Sequence, residues 1–82
     1  MPTDLAAGAR AIARQLRRAE EAEAAEALAA WTLHLEAEVA PQALVPLAAA
    51  LGEVFAAQQR GDSLRVADVL EFVVAPGLAA RA

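Results

Sequence analysis

The sequence predicts an all-α protein: a long N-terminal helix packed along its second half by a helical hairpin, in a bundle completed by a second copy. Three observations carry that expectation. Ala, a strong helix former, supplies 25 of the 82 residues. Gly8 is the lone breaker between Leu5 and Ala40. Large apolar side chains recur at spacings of three and four, the period of a helix face.

The first helix is expected over about residues 4–39, with Thr3 as its N-cap. Leu5, Ala9, Ile12 and Leu16 line one stripe. Leu28, Trp31, Leu35 and Val39 line another, rotated by roughly 110° on a straight helix. The segment between them, Arg17 to Glu26, holds no large apolar side chain. Such a helix spans about 54 Å, against about 30 Å for the next one. Residues 1–18 are therefore read as an overhanging arm and residues 22–82 as the bundle, within a single helical domain spanning residues 1–82. The rival is a break near Ala19–Glu21 that returns residues 4–18 as a fourth helix; it ranks second because Ala and Glu are poor loop formers.

The second helix is expected over about residues 42–60. Pro41 suits a first helical position, whereas Pro46 disfavours helix at Val45 and can delay the regular start. Leu44, Leu47, Ala48, Leu51, Val54 and Phe55 share one face, opposite Gln42, Glu53 and Arg60. Gly61-Asp62-Ser63 reads as a C-cap followed by a new N-cap, with the capping role given to Ser63. The third helix then covers about residues 63–80, with a kink at Pro76-Gly77. Val66, Val69, Leu70, Val73 and Val74 form its apolar arc. Phe72 points about 100° away from Val73, between Arg65 and Asp68, toward either the first helix or a partner chain. Trp31, Leu35, Phe55 and Leu70 are expected in the core. Leu5, Ile12, Leu16 and Phe72 are expected at a protein interface.

A short echo links Leu35-Glu36 … Val39-Ala40-Pro41 to Leu70-Glu71 … Val74-Ala75-Pro76, 35 residues apart. One echo does not make a solenoid, which needs about three stacked copies.

Composition adds the argument for assembly. The 59% hydrophobic content is mostly Ala, which leaves 23 large apolar side chains to build a core. Small chains in that position commonly lean on oligomerisation. Cys is absent, which excludes disulfides and thiolate chemistry. Lys is absent too, which together with abundant Arg and Ala reads as the coding bias of a GC-rich bacterial genome. Met1-Pro2-Thr3-Asp4 lacks a basic lead into an apolar run, and no apolar stretch is long enough to span a bilayer, so a soluble cytoplasmic protein is expected. Residues 1–19 carry a net +3, residues 20–58 a net −7 and residues 59–82 zero. An acidic whole argues against nucleic acid as the main partner.

Catalytic, metal and cofactor chemistry finds no set of residues to work with. His34 is the sole histidine, and with Glu38 it offers two metal donors where a site needs several. Glu20, Glu21, Glu23 and Glu26 lack the Glu-x-x-His partner of bundle carboxylate sites and read as solvated surface, with Arg17 spaced to pair with Glu20 and Glu21. Thr32 and Ser63 are the hydroxyls outside the N-terminal cap, too few for a nucleophile with its base. No phosphate loop or dinucleotide fingerprint occurs. Arg10, Arg14, Arg17 and Arg18 form a basic ridge that could contact an anion. No aromatic side chain is interleaved with it, so pairing with the acidic segment 20–26 of an antiparallel second copy is preferred over nucleic acid or membrane.

The stretch Gly61-Asp62 … Leu64-Arg65-Val66-Ala67-Asp68-Val69-Leu70-Glu71-Phe72 … Ala75-Pro76 resembles a segment of small uncharacterised bacterial helical proteins, of the pattern GDY-(four apolar or small)-ADLLEYEL-x-P. Ser63 stands for the aromatic and Val73 for an acidic residue. The resemblance covers about a fifth of the chain and implies a helical fold without an assigned activity. A distant similarity in style to flagellar-type export chaperones, also small helical bundles, suggests one alternative. The expected function is a small non-enzymatic helical interaction or assembly module that self-associates as a homodimer. The alternatives are a chaperone or adaptor for an amphipathic client segment, and a basic-ridge binder of nucleic acid or anionic membrane.

Overall fold

The computed structural model describes residues 4–80, and every regular element among them is helical. Helix α1 (Leu5–Arg17) is opened by Asp4, whose carboxylate accepts the Ala7 N–H at 2.9 Å. Thr3, the expected cap, lies outside the described residues. Helix α2 follows as Glu21–Glu38.

The expected single helix over residues 4–39 is thus two helices. Ala19 takes a left-handed φ of 61°; its N–H donates to the Leu16 carbonyl at 3.1 Å, and the Glu20 N–H donates to the Gln15 carbonyl at 2.9 Å. This is the bond pair of a helix end closed by a left-handed residue, with Ala where Gly is usual. Left-handed backbone costs an L-residue roughly 1–2 kcal/mol. Burying Leu5 and Ile12 instead of leaving them in water returns about 1.5–3 kcal/mol each. The rotation between the two apolar stripes decides the matter: one straight rod could not bury both against the same core, and two rods can.

Helix α3 is a rod in three sections, Pro41–Leu44 (α), Val45–Leu47 (3-10) and Ala48–Gln59 (α). Ala40 ahead of Pro41 is extended, as a residue before proline tends to be. Pro46 is absorbed by the 3-10 turn, so helix begins before it. The rod ends by the same device as α1, now with Gly61 at φ 72° and the Asp62 N–H donating to the Ala57 carbonyl at 2.9 Å. Asp62, not Ser63, caps the next helix, its carboxylate accepting the Arg65 N–H at 3.2 Å.

Helix α4 also has three sections: Ser63–Val69, a π-helical turn Leu70–Val74, and Ala75–Ala80. Pro76 explains the turn. Proline offers no N–H, and its ring collides with the carbonyl four residues back in a regular helix. The wider π turn, in which the Ala75 N–H donates to the Leu70 carbonyl, makes room, so the helix continues past Pro76 to Ala80.

Helices α1 and α4 lie side by side in the middle, with α2 against α1 and α3 against α4. Seven of the 21 core residues are Ala, among them Ala9, Ala13, Ala57, Ala67 and Ala75. Small side chains let the rods approach closely, so the core closes with fewer large groups than composition suggested. The radius of gyration, 11.7 Å, equals the roughly 11.7 Å expected for one domain of this length. Residues 5–17 are therefore central to the fold and not an overhanging arm.

Candidate functional site

Leu33 on α2 and Val45 on α3 are exposed too, but the outward face of α4 is where several exposed apolar side chains share one helix. Leu64, Asp68 and Phe72 fall at i, i+4 and i+8 and form one row, with Val73 beside Phe72. Leu64 is 63% exposed, Phe72 66% and Val73 50%, high values for such side chains. Val73 was expected inside; the π turn carries it out while Val74, Ala75 and Leu78 stay buried.

Arg17, at the end of α1, reaches over this row. Its Nη2 stands 3.0 Å from Asp68 Oδ1 and 2.9 Å from Glu71 Oε1, and its Nε donates to the same Glu71 oxygen at 3.1 Å. The guanidinium carbon lies 5.9 Å from the centroid of the Phe72 ring, within cation–π range. Hydrogen bonds to Asp68 and then Glu71 raise the Arg17 pKa further above its ordinary value. A second clip sits across the α3–α4 hairpin: Arg65 Nε donates to Glu53 Oε1 at 2.8 Å, which holds the Glu53 carboxyl below its ordinary value and raises Arg65.

The expected interface residues separate accordingly. Leu5 and Ile12 are buried in the chain's own core, so their assignment to an intermolecular contact is corrected. Leu16 is half-buried against that core, and Phe72 alone of the four is well exposed. Trp31, Leu35 and Leu70 are core as expected; Phe55 is not, at 37% exposed, because the buried face of α3 runs through Leu47, Leu51, Val54 and Ala57.

The basic ridge divides too. Arg17 is drawn to α4, since the turn at Ala19 swings Glu20 and Glu21 off the helix on which their spacing would have matched it. Arg10, Arg14 and Arg18 remain exposed. Glu21, Glu23 and Glu26 are exposed on α2, and Glu20 is half-buried at its start. His34 Nδ1 lies 3.1 Å from Glu38 Oε2 one turn on, and Thr32 Oγ1 donates to the Leu28 carbonyl at 2.8 Å. Among the described residues, no three His, Cys, Asp or Glu side chains are grouped to hold a metal ion, and no helix is long and apolar enough to cross a membrane.

A cleft of about 160 Å³ opens between α1, α2 and the α3–α4 turn. Ile12, Leu16, Leu28 and Val66 line it, and Glu21, Asp62 and Ser63 stand among its polar groups. Ser63 Oγ donates to Glu21 Oε1 at 3.2 Å, the role it takes in place of capping. Sequence reasoning missed the cleft, because it exists only once α1 folds back.

Fold and surface define an all-α protein with an exposed aromatic–aliphatic row on α4 framed by ion pairs. Compared with family models, curated proteins and solved structures, the chain matches none of them.

Proposed function

We propose that this chain is a non-catalytic helical interaction module of the bacterial cytoplasm that self-associates, as a homodimer, through the outward face of α4. The observation that carries the reading is Phe72 and Val73 exposed side by side, two turns from Leu64. Two large apolar side chains exposed side by side and rimmed by charged groups are what a protein contact would cover. The charge around it favours a like partner. Arg17 and Arg65 offset Asp68, Glu71 and Glu53 to within one unit, so two copies can meet face to face without strong repulsion.

Sedimentation equilibrium of the full chain and of Phe72→Ala tests the reading. The expected result is a dimer that the substitution converts to a folded monomer. Because Phe72 is exposed, its removal should lower folding stability far less than the roughly 3–5 kcal/mol of a core Phe. An intact chain that stays monomeric at every concentration would refute self-association. If that monomer gains stability from an amphipathic helical peptide, the same face serves a client instead.

A further inference from the structure

We propose that the cleft between α1, α2 and the α3–α4 turn is a second docking point, which takes one ring-sized apolar side chain of a partner segment with a Lys or Arg beside it. It shares no lining residue with the Phe72–Val73 row, so its failure and that of self-association are read separately.

Size sets the first half of the ligand. The cleft measures about 160 Å³, close to the roughly 150 Å³ apolar cavity that accepts one benzene, and well short of the roughly 300–1,000 Å³ of small-molecule sites. One aromatic or branched aliphatic side chain fits; a drug-sized molecule does not. The floor suits it, since Ile12, Leu28 and Val66 are buried and Leu16 is half-buried with an edge on the opening.

Charge sets the second half. Glu21 and Asp62 line the cleft, and no Lys or Arg does. Neither carboxylate is used up. Glu21 accepts the Ser63 hydroxyl on one oxygen and can accept more on both. Asp62 Oδ1 caps α4, while Oδ2 is 3.8 Å from Arg60, a loose pair that a better-placed cation can replace. A partner bearing a basic residue next to its apolar anchor would satisfy floor and rim together; one bearing an acidic residue there would meet two negative charges. A second copy's Phe72 is a poorer occupant, because the Arg17 beside it is already held by Asp68 and Glu71.

Three capped peptides test the proposal by amide chemical shifts of the full-length chain: acetyl-Ala-Phe-Lys-Ala-amide, acetyl-Ala-Phe-Glu-Ala-amide and acetyl-Ala-Ala-Lys-Ala-amide. The first should shift the Ala24, Ala25, Gly61 and Val66 amides saturably and bind about threefold or more tighter than the second, the size of a partly exposed ion pair. The third should leave them unmoved. Glu21→Gln should shrink the gap between the first two. Ala25→Leu, on an exposed position at the cleft, should fill it and abolish binding in a chain that remains helical. Absence of saturable shifts at these amides, or equal affinity for the Lys and Glu peptides, would overturn it.

Discussion

The Trp31 indole N–H donates to the Leu5 carbonyl oxygen at 2.9 Å, which clips the first turn of α1 to the middle of α2. A buried indole needs a partner for its N–H. The carbonyl it finds belongs to a segment 26 residues earlier in the chain, and that bond is possible only because the chain reverses at Ala19. Gly8 completes the joint: a Cβ there would stand 2.9 Å from Trp31 Cδ1. The bare backbone at Gly8 is what lets the indole come this close to α1.

Replacing Gly8 by Ala should therefore destabilise the protein, although Ala is the better helix residue by about 0.8–1 kcal/mol. Trp31 is buried and tethered, so it cannot swing aside, and overpacking of this kind costs about 1–3 kcal/mol. A net loss of about 1 kcal/mol is expected in urea unfolding. Gly52→Ala is the control: it lies within the last section of α3, a Cβ there meets nothing within 4 Å, and stability should rise by up to about 1 kcal/mol.

Ala19→Gly should be neutral to stabilising. The left-handed backbone at Ala19 disappears as a penalty of roughly 1–2 kcal/mol, against the entropy that Gly adds to the unfolded chain, about 0.5–1 kcal/mol. Ala19→Val should lower the urea midpoint, since a branched side chain tolerates that φ least. If Val is tolerated as well as Gly, the turn is not the rigid closure described.

These two turns show how far the sequence could be read. Helices α1 and α3 end with the same hydrogen-bond pattern, yet Gly61 announces one and Ala19 hides the other. Pro41 and Pro76 stand in matching local sequence with opposite results. The helix stops at the first, where Ala40 is exposed, and runs on through the second, where Val74 and Ala75 are wholly buried. Tertiary packing chose between them, and no local signal carries that choice. At the candidate site, Phe72 stood out because an aromatic sat among charges. Its neighbours did not: Asp68 and Glu71 lie 51 and 54 residues from Arg17 in the chain, and Val73 faced outward only through the π turn.

Acid should weaken the α3–α4 hairpin through Glu53. Its folded-state pKa is depressed, chiefly by the hydrogen bond from Arg65, so its stabilisation is complete above the ordinary Glu value of about 4.3 and fades as pH falls through the folded value. Glu53→Gln should lower the urea midpoint at pH 7, and the two proteins should converge as pH drops below about 4. A gap of the same size at pH 7 and at low pH would show that the carboxylate charge plays no part.

Arg17→Met should lower the urea midpoint in dilute buffer and do little at high salt. Methionine keeps an apolar stem over Phe72 but leaves Asp68 and Glu71, one turn apart on α4, without the cation between them. Two like charges at that spacing repel, so the substitution removes an attraction and uncovers a repulsion. Both are exposed and fall off as the Debye length shrinks to about 3 Å at about 1 M salt. Arg10→Met, at an exposed position in the same helix that forms no ion pair among the described residues, should change the midpoint little at either salt concentration. If the Arg17 gap survives at high salt, contact with the Phe72 ring carries the effect. If both variants behave alike, the Arg17 link from α1 to α4 is ornamental, and the proposed dimer face loses its frame.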